Sequence, residues 1–71
     1  MQRFKKQWII IFLQTLYTGQ DVENGKPSPE IYDKTMAELQ VQPSDTLIFE
    51  DSEVGLQAAK ASGAYFIKIT F

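Results

Sequence analysis

The sequence contains neither cysteine nor histidine among its 71 residues. The absence of cysteine excludes disulfides and thiolate metal sites, and the absence of histidine removes the commonest neutral metal ligand and the usual general base. Any chemistry must therefore depend on carboxylates, lysines and hydroxyl groups. A chain of this length forms one domain at most, and it buries a smaller share of its surface than a full-sized domain does.

Positive charge is also scarce, with a formal net charge of −2 and a sequence pI near 4.9. Nucleic-acid binding needs clustered lysine and arginine, so we expect no nucleic-acid partner. The one basic cluster lies at the start of the chain and precedes an apolar run, Trp8 to Leu13. This run is too short to span a membrane, and no small-residue cleavage pattern follows it. We expect no membrane partner and a cytoplasmic location, with which the absence of cysteine is compatible.

Turn residues and periodicity predict a first helix from about Pro29 to Leu39. Ser28 is a good N-cap, and proline suits the first helical position. Apolar and small side chains then recur at helical spacing and predict a buried stripe. Its members are Ile31, Thr35, Met36 and Leu39.

Thr46 to Phe49 is short, apolar and unbroken, which is typical of a strand covered on both faces of a parallel sheet. A second helix is expected from about Glu53 to Ser62, with Ser52 as its cap and Gly63 in the left-handed conformation that ends a helix. Its narrow inner face would include Val54, Ala58 and Ala61.

The segment from Tyr65 to Phe71 alternates between two faces and carries a lysine on one of them, which predicts a partly solvated edge strand. For the apolar run that ends at Tyr17, periodicity does not decide between helix and strand. The order of elements predicts an α/β fold with a partial Rossmann-like parallel sheet, flanking helices and right-handed crossovers.

Two adjacent carboxylates, Glu50 and Asp51, stand where the Thr46–Phe49 strand should end. Ligands of open parallel sheets bind beyond the carboxyl ends of the strands, and Mg²⁺ prefers one or two carboxylates together with water and phosphate oxygens. Asp51 is the better candidate for direct contact because it lies at the loop and has the shorter side chain. The other carboxylate would act through water or a neighbouring group. The alternative is that Asp51 and Ser52 only cap the following helix.

Lys26 lies between Gly25 and Pro27. Glycine permits close approach of the backbone to a ligand, and proline stiffens the loop. A fixed ammonium group in this position could neutralise charge on a transferring phosphoryl group. The alternative is a solvated loop lysine, and the glycine-rich sequence that would make this a Walker loop is absent.

The loop and the strand end belong to longer strings, Gly25-Lys26-Pro27-Ser28-Pro29-Glu30-Ile31-Tyr32 and Phe49-Glu50-Asp51-Ser52-Glu53-Val54-Gly55, which are followed by Ala58-Ala59-Lys60-Ala61-Ser62-Gly63. Together these strings closely resemble the haloacid dehalogenase-like superfamily, and in particular its β-phosphoglucomutase-like phosphatase branch. The resemblance extends from about Phe12 to Ile69.

The resemblance implies a magnesium-dependent enzyme that acts on a small phosphorylated metabolite through an aspartyl-phosphate intermediate. It implies that Lys26 steadies the phosphoryl group and that Glu50 and Asp51 hold Mg²⁺. Ser52 and Gly55 match the loop and the helix start behind the acidic pair.

The sequence also departs from the family pattern. It has no Asp-x-Asp motif, which supplies the family's nucleophile and its acid–base residue, and it lacks the phosphate-binding Ser or Thr of the second motif and the cap domain. Residues 1–71 are therefore interpreted as the C-terminal part of a core domain without a cap, and we expect this chain alone to hydrolyse no phosphate ester.

Thr18-Gly19 matches the turn after the family's third strand, so Phe12 to Tyr17 should contain that strand. The resemblance implies that it lies two strands away from Thr46–Phe49, with a gap where the nucleophile strand belongs. We expect the chain to close up differently, to pair with a partner or to remain partly unfolded. Self-association would use the Trp8–Leu13 run or the bare edge of the Thr46–Phe49 strand.

Two other functions are compatible with these residues. The first is a non-catalytic binding or assembly module that complements a partner chain. The second is a response-regulator-like phosphoacceptor, which is disfavoured because its lysine should follow the acidic residues, whereas Lys26 precedes them. The residues determine neither the substrate nor whether the enzyme is a hydrolase or a mutase.

Overall fold

A computed structural model describes residues 7–12 and 22–70 of the chain. These ranges contain, in order, β1 (Ile9–Phe12), α1 (Glu30–Leu39), β2 (Thr46–Glu50), α2 (Glu53–Ser62) and β3 (Tyr65–Lys68). The three strands form one parallel sheet in the order β1-β2-β3. The predicted α/β class, with a partial Rossmann-like parallel sheet and flanking helices, is confirmed.

The first strand differs most from the prediction. The first described strand comprises Ile9–Phe12, overlaps the predicted Phe12–Tyr17 only at Phe12, and pairs directly with β2, with Ile10 opposite Leu47. Residues 13–17 lie outside the part of the chain that the structure describes. Because β1 and β3 occupy the two edges of β2, the described strands close up without a gap, which is one of the expected outcomes, and the predicted bare edge of Thr46–Phe49 is wrong. The run of isoleucines favours a strand, since β-branched side chains fit a pleated surface.

Helix α1 begins at Glu30, one residue later than predicted, because Pro29 is the N-cap residue. Ser28 therefore lies before the cap, although its Oγ accepts a hydrogen bond from the Glu30 N–H at 3.2 Å. The prediction that Leu39 is buried is wrong, since this side chain is 53% exposed. The buried stripe is rotated toward a tyrosine that the prediction omitted. Its members are Ile31, Tyr32, Thr35 and Met36.

Helix α2 has the predicted bounds, because both of its end signals operate. Ser52 Oγ accepts a hydrogen bond from the Gly55 N–H at 3.0 Å, and Gly63 adopts the left-handed conformation with φ of 86°. The expected inner face is only partly correct, since Val54 and Ala61 are exposed. The helix packs through residues three and four apart that have small side chains. They are Gly55, Ala58 and Ala59.

Both helices cover the same face of the sheet. Right-handed crossovers between sequential parallel strands place α1 and α2 on one side, and the two helices contact each other. Burial along β2 alternates accordingly, because Thr46, Ile48 and Glu50 are buried and the residues between them are only half-buried. The prediction that this strand is covered on both faces is therefore wrong.

The opposite side, here called the open sheet face, carries apolar side chains from all three strands and from the residue before β1. They are Trp8, Ile10, Leu47, Tyr65 and Ile67. Strand β3 is exposed along its whole length, so the predicted partly solvated edge strand is confirmed, although it ends at Lys68. In the described part of the chain, no helix is long and apolar enough to cross a membrane.

Candidate phosphate-facing lysine and acidic pair

The candidate site lies at the carboxyl end of β2. Glu50 is the last residue of this central strand, and the loop before α1 carries Lys26 to the same place. Lys26 Nζ lies 2.9 Å from Glu50 Oε2, although the two residues are 24 positions apart in the sequence. The structure therefore brings together the loop lysine and the strand-end acid that the sequence analysis selected separately.

The Glu50 carboxylate faces the interior and is only 3% exposed. Its Oε2 accepts hydrogen bonds from Lys26 Nζ at 2.9 Å and from the Tyr32 hydroxyl at 2.5 Å. Its Oε1 accepts from the Asp51 N–H at 2.9 Å, and from both the Ser52 N–H and the Ser52 hydroxyl at 3.3 Å. Five donors thus surround one carboxylate, which is close to the number that its lone pairs accept.

These contacts keep Glu50 ionised despite its burial. Desolvation raises the pKa of Glu50, but the hydrogen bonds from Tyr32 and Lys26 and from the backbone of Asp51 and Ser52 outweigh it, and the pKa falls to about 2. Charge-assisted hydrogen bonds of this kind are about twice as strong as neutral ones. A permanent negative charge therefore lies beside Lys26 at neutral pH.

Tyr32 is the site residue that the sequence analysis missed. Its side chain is fully buried, and its hydroxyl donates the shortest of the hydrogen bonds to Glu50. Burial raises the pKa of Tyr32, and the hydrogen bond to Glu50 raises it further. A signal was present, since Tyr32 precedes Thr35 and Met36 by three and four residues, and a buried tyrosine hydroxyl needs a partner.

Lys26 remains partly open to solvent, with 26% of its side chain exposed. Its ammonium group has three N–H donors, and one of them is directed to Glu50. The same nitrogen lies 5.9 Å from the centre of the Tyr32 ring. The ammonium is thus anchored on its inner side and accessible on its outer side.

Asp51 is placed differently from its neighbour, because its side chain is exposed while its backbone N–H supports Glu50. Alternation along the strand end explains the difference, since successive side chains point to opposite faces. Among the described residues, no group of three or more acidic side chains could hold a metal ion. One exposed carboxylate still fits a Mg²⁺ ion that takes its other ligands from water and phosphate.

Gly55 is required by the site itself. A Cβ atom on Gly55 would lie 2.0 Å from Glu50 Cδ and 2.1 Å from Glu50 Oε2, so any side chain there would displace the carboxylate. Ser52 supports the same corner, because its hydroxyl donates to Glu50 and accepts from the Gly55 N–H. Gly25 is different, since a Cβ there would meet nothing within 4 Å.

Glu30, in the first turn of α1, organises the loop that carries Lys26. Its carboxylate accepts hydrogen bonds from the Glu23 N–H at 2.7 Å, from the Asn24 N–H at 3.0 Å and from the Asn24 side-chain amide at 3.2 Å. The bond from the Glu23 N–H is the main reason that the pKa of Glu30 is lowered. From the sequence, Glu30 is expected only to favour the positive N-terminal end of α1.

Comparison with known proteins identifies the family of this chain. A family model described as haloacid dehalogenase-like hydrolase matches residues 1–69. The chain is 41% identical over 58 residues to validoxylamine A 7'-phosphate phosphatase of Streptomyces hygroscopicus subsp. limoneus, covering 82% of the chain and 27% of that protein. It is 36% identical over 63 residues to a phosphorylated carbohydrates phosphatase of Thermotoga maritima, covering 89% of the chain and 29% of that protein.

A third relative is the 2-deoxyglucose-6-phosphate phosphatase 2 of Saccharomyces cerevisiae, which is 45% identical over 60 residues and covers 75% of the chain and 24% of that protein. The chain thus spans less than a third of the length of these relatives. Their names describe phosphatases that act on phosphorylated small molecules. Because the family model matches nearly the whole chain, this protein belongs to the haloacid dehalogenase-like hydrolases.

Proposed function

We propose that this chain supplies the lysine and the acidic pair of a magnesium-dependent phosphatase or phosphomutase site of the β-phosphoglucomutase-like branch, in the cytoplasm. The substrate would be a small phosphorylated metabolite, and the reaction would pass through an aspartyl-phosphate. The observation that carries the proposal is the 2.9 Å contact between Lys26 Nζ and Glu50 Oε2 at the carboxyl end of β2. The names of the relatives support the class of substrate.

Lys26 would bind the phosphoryl group through the N–H donors that do not contact Glu50. An ammonium held in place before the substrate arrives stabilises developing charge without reorganisation. Glu50 would fix the ammonium and would not contact substrate, because all of its oxygens already accept hydrogen bonds from the protein.

Asp51 is the residue that would hold Mg²⁺, because its exposed carboxylate directly follows Glu50 at the carboxyl end of β2. The ion would supply neutralisation of the phosphate charge when bound. Glu50 would contribute through Lys26 and through the backbone of Asp51, which agrees with the sequence-based expectation that one acid acts through a neighbouring group.

The nucleophile would come from outside these residues, because the sequence contains no Asp-x-Asp motif. The chain alone should therefore show no turnover of an aryl phosphate. Mixing it with a second polypeptide that carries Asp-x-Asp-x-Thr should restore Mg²⁺-dependent turnover. Lys26→Met and Asp51→Ala should abolish the restored activity, whereas Lys60→Met and Asp33→Ala, which change like residues on the helices, should retain it.

Two results would contradict this proposal. One is turnover by the chain alone that Asp51→Ala abolishes, since that would require a nucleophile within these residues. The other is restored turnover in the mixture that is indifferent to both Lys26→Met and Asp51→Ala, since the site would then lie entirely in the second polypeptide.

The open sheet face supports a second candidate, an assembly module in which two copies of the chain associate. Trp8, Ile10, Tyr65 and Ile67 are 46–55% exposed, and with Leu47 and Phe66 they line an open cavity of about 430 Å³. Half-exposed side chains of this size present roughly 500 Å² per copy, so a face-to-face dimer would bury about 1,000 Å² in total, near the lower limit for a specific interface. The described side chains that line this cavity carry no charge, so a second identical face is an adequate partner.

A further inference from the structure

We infer that Tyr32 is a positioning residue that orients the Glu50 carboxylate and, through it, the Lys26 ammonium. The inference rests on the proposed function, because it concerns how the phosphate-binding lysine is held. Tyr32 would act only through its two neighbours, because its side chain is fully buried and its hydroxyl donates to Glu50.

The hydrogen bonds of Glu50 show how the orientation is fixed. Oε1 is engaged by Asp51 and Ser52, so only Oε2 is available to Lys26. The Tyr32 hydroxyl occupies a second position on Oε2 at 2.5 Å, beside the Lys26 ammonium at 2.9 Å. The ammonium therefore donates a single hydrogen bond and cannot fold down onto both oxygens of the carboxylate.

The aromatic ring restrains Lys26 independently of the hydroxyl. Lys26 Nζ lies 5.9 Å from the centre of the Tyr32 ring, which is within the range of a cation–π contact. Tyr32 thus contacts both members of the Lys26–Glu50 pair, one through its hydroxyl and the other through its ring face. Because the side chain is fully buried, it has little freedom to release either contact.

The packing of α1 does not explain the hydroxyl. Tyr32 belongs to the same buried cluster as Ile31, Met36 and Ile48, where a phenylalanine would fill the same space. A buried hydroxyl is unfavourable unless it finds a partner, and the partner here is the site carboxylate. The hydroxyl is therefore explained by its action on Glu50.

The test is an NMR comparison of the wild-type chain with Tyr32→Phe, using Tyr65→Phe as the matched control. Tyr65 undergoes the same chemical change on an exposed edge strand. In the wild-type chain, the Tyr32 hydroxyl proton should give a downfield resonance that exchanges slowly, as short charge-assisted hydrogen bonds do. Tyr32→Phe should remove that resonance and shift the Lys26 ¹⁵Nζ signal, and it should weaken binding of inorganic phosphate about tenfold. Tyr65→Phe should change none of these.

The outcomes separate this inference from the proposed function. If phosphate perturbs Lys26 equally in the wild type and in Tyr32→Phe, with an unchanged ¹⁵Nζ shift, the positioning role is refuted while the phosphate site stands. If Lys26 shifts in Tyr32→Phe but no phosphate binds to either protein, the positioning role is supported and the proposed function fails. Should Tyr32→Phe not fold, the wild-type chain still decides the matter, since fast exchange of the Tyr32 hydroxyl proton would overturn the inference.

Discussion

Replacing Gly55 with alanine should destabilise this protein, although alanine is the better helix former. Gly55 lies in the first turn of α2, where the exchange would favour the helix by about 1 kcal/mol on propensity alone. The new Cβ, however, would lie 2.0 Å from Glu50 Cδ, and this side chain is buried and held by five hydrogen bonds. The carboxylate must therefore leave its position.

The magnitude follows from the hydrogen bonds that would break. Moving the carboxylate removes the bonds from Tyr32 and Lys26, and bonds to a charged group contribute roughly 1.5–3 kcal/mol each. Water partly compensates Lys26, which is 26% exposed, but it does not reach the buried Tyr32 hydroxyl. After the helix gain is subtracted, we expect a loss of about 2–3 kcal/mol in the free energy of unfolding.

Urea denaturation followed by circular dichroism measures this change, with Gly25→Ala as the matched control. Gly25 has open space around it and no positive φ, so its substitution should alter stability by less than about 0.5 kcal/mol. A double-mutant cycle adds a test of sign. In a Glu50→Ala background the clash is absent, and Gly55→Ala should become stabilising. The reasoning is refuted if Gly55→Ala is neutral in the wild type, or if it is equally harmful in both backgrounds.

Three further predictions follow from the same contacts. The pKa of Glu50 in the folded state, about 2, lies below its usual 4.5, so ionised Glu50 should stabilise the folded protein fully above about pH 4.5, and this stabilisation should be lost as the pH falls toward 2. Unfolding measured as a function of pH should lack this dependence in Glu50→Gln. A Glu50→Gln profile identical to that of the wild type would refute the prediction. Lys26→Met should weaken binding of inorganic phosphate at least tenfold in an NMR titration, whereas Lys60→Met should not, and equal affinities would contradict the assigned role. Ile10→Lys, on the open sheet face, should shift the sedimentation profile toward the monomer. Leu39→Lys changes an equally exposed apolar residue on α1 and should leave the profile unchanged. A wild-type chain that stays monomeric at high concentration would exclude the dimer.

The parts of the fold that local signals determine could be predicted from the sequence. Ser52 and Gly63 fix the two ends of α2 through a side-chain cap and a left-handed turn, and both signals depend only on neighbouring residues. The position of β1 could not be predicted in the same way. An apolar run such as Ile9–Phe12 fits a strand in several registers, and its place beside β2 depends on which strand edge is available.

Most residues of the candidate site could be predicted from the sequence, but the contacts that give each residue its role could not. Lys26 and Glu50 could be selected from their strings, yet their contact depends on a loop that Glu30 organises. The inward orientation of Glu50 had a signal, because Thr46, Ile48 and Glu50 share one face of a strand and Ile48 had to be buried. Whether Tyr32 faces the site depends on how α1 is rotated about its own axis. Helical periodicity does not locate the buried face of a helix to within one residue.

The central claim is that Lys26 and Asp51 converge on one bound phosphate and its cation. An NMR titration of the wild-type chain with inorganic phosphate and Mg²⁺ tests it most directly, with the Lys26 ¹⁵Nζ and Asp51 ¹³Cγ signals observed together. The account predicts that both signals shift along one saturable curve, while those of Lys60 and Asp33 remain in place. Signals of Lys26 and Asp51 that do not move, or that move with unrelated affinities, would contradict it.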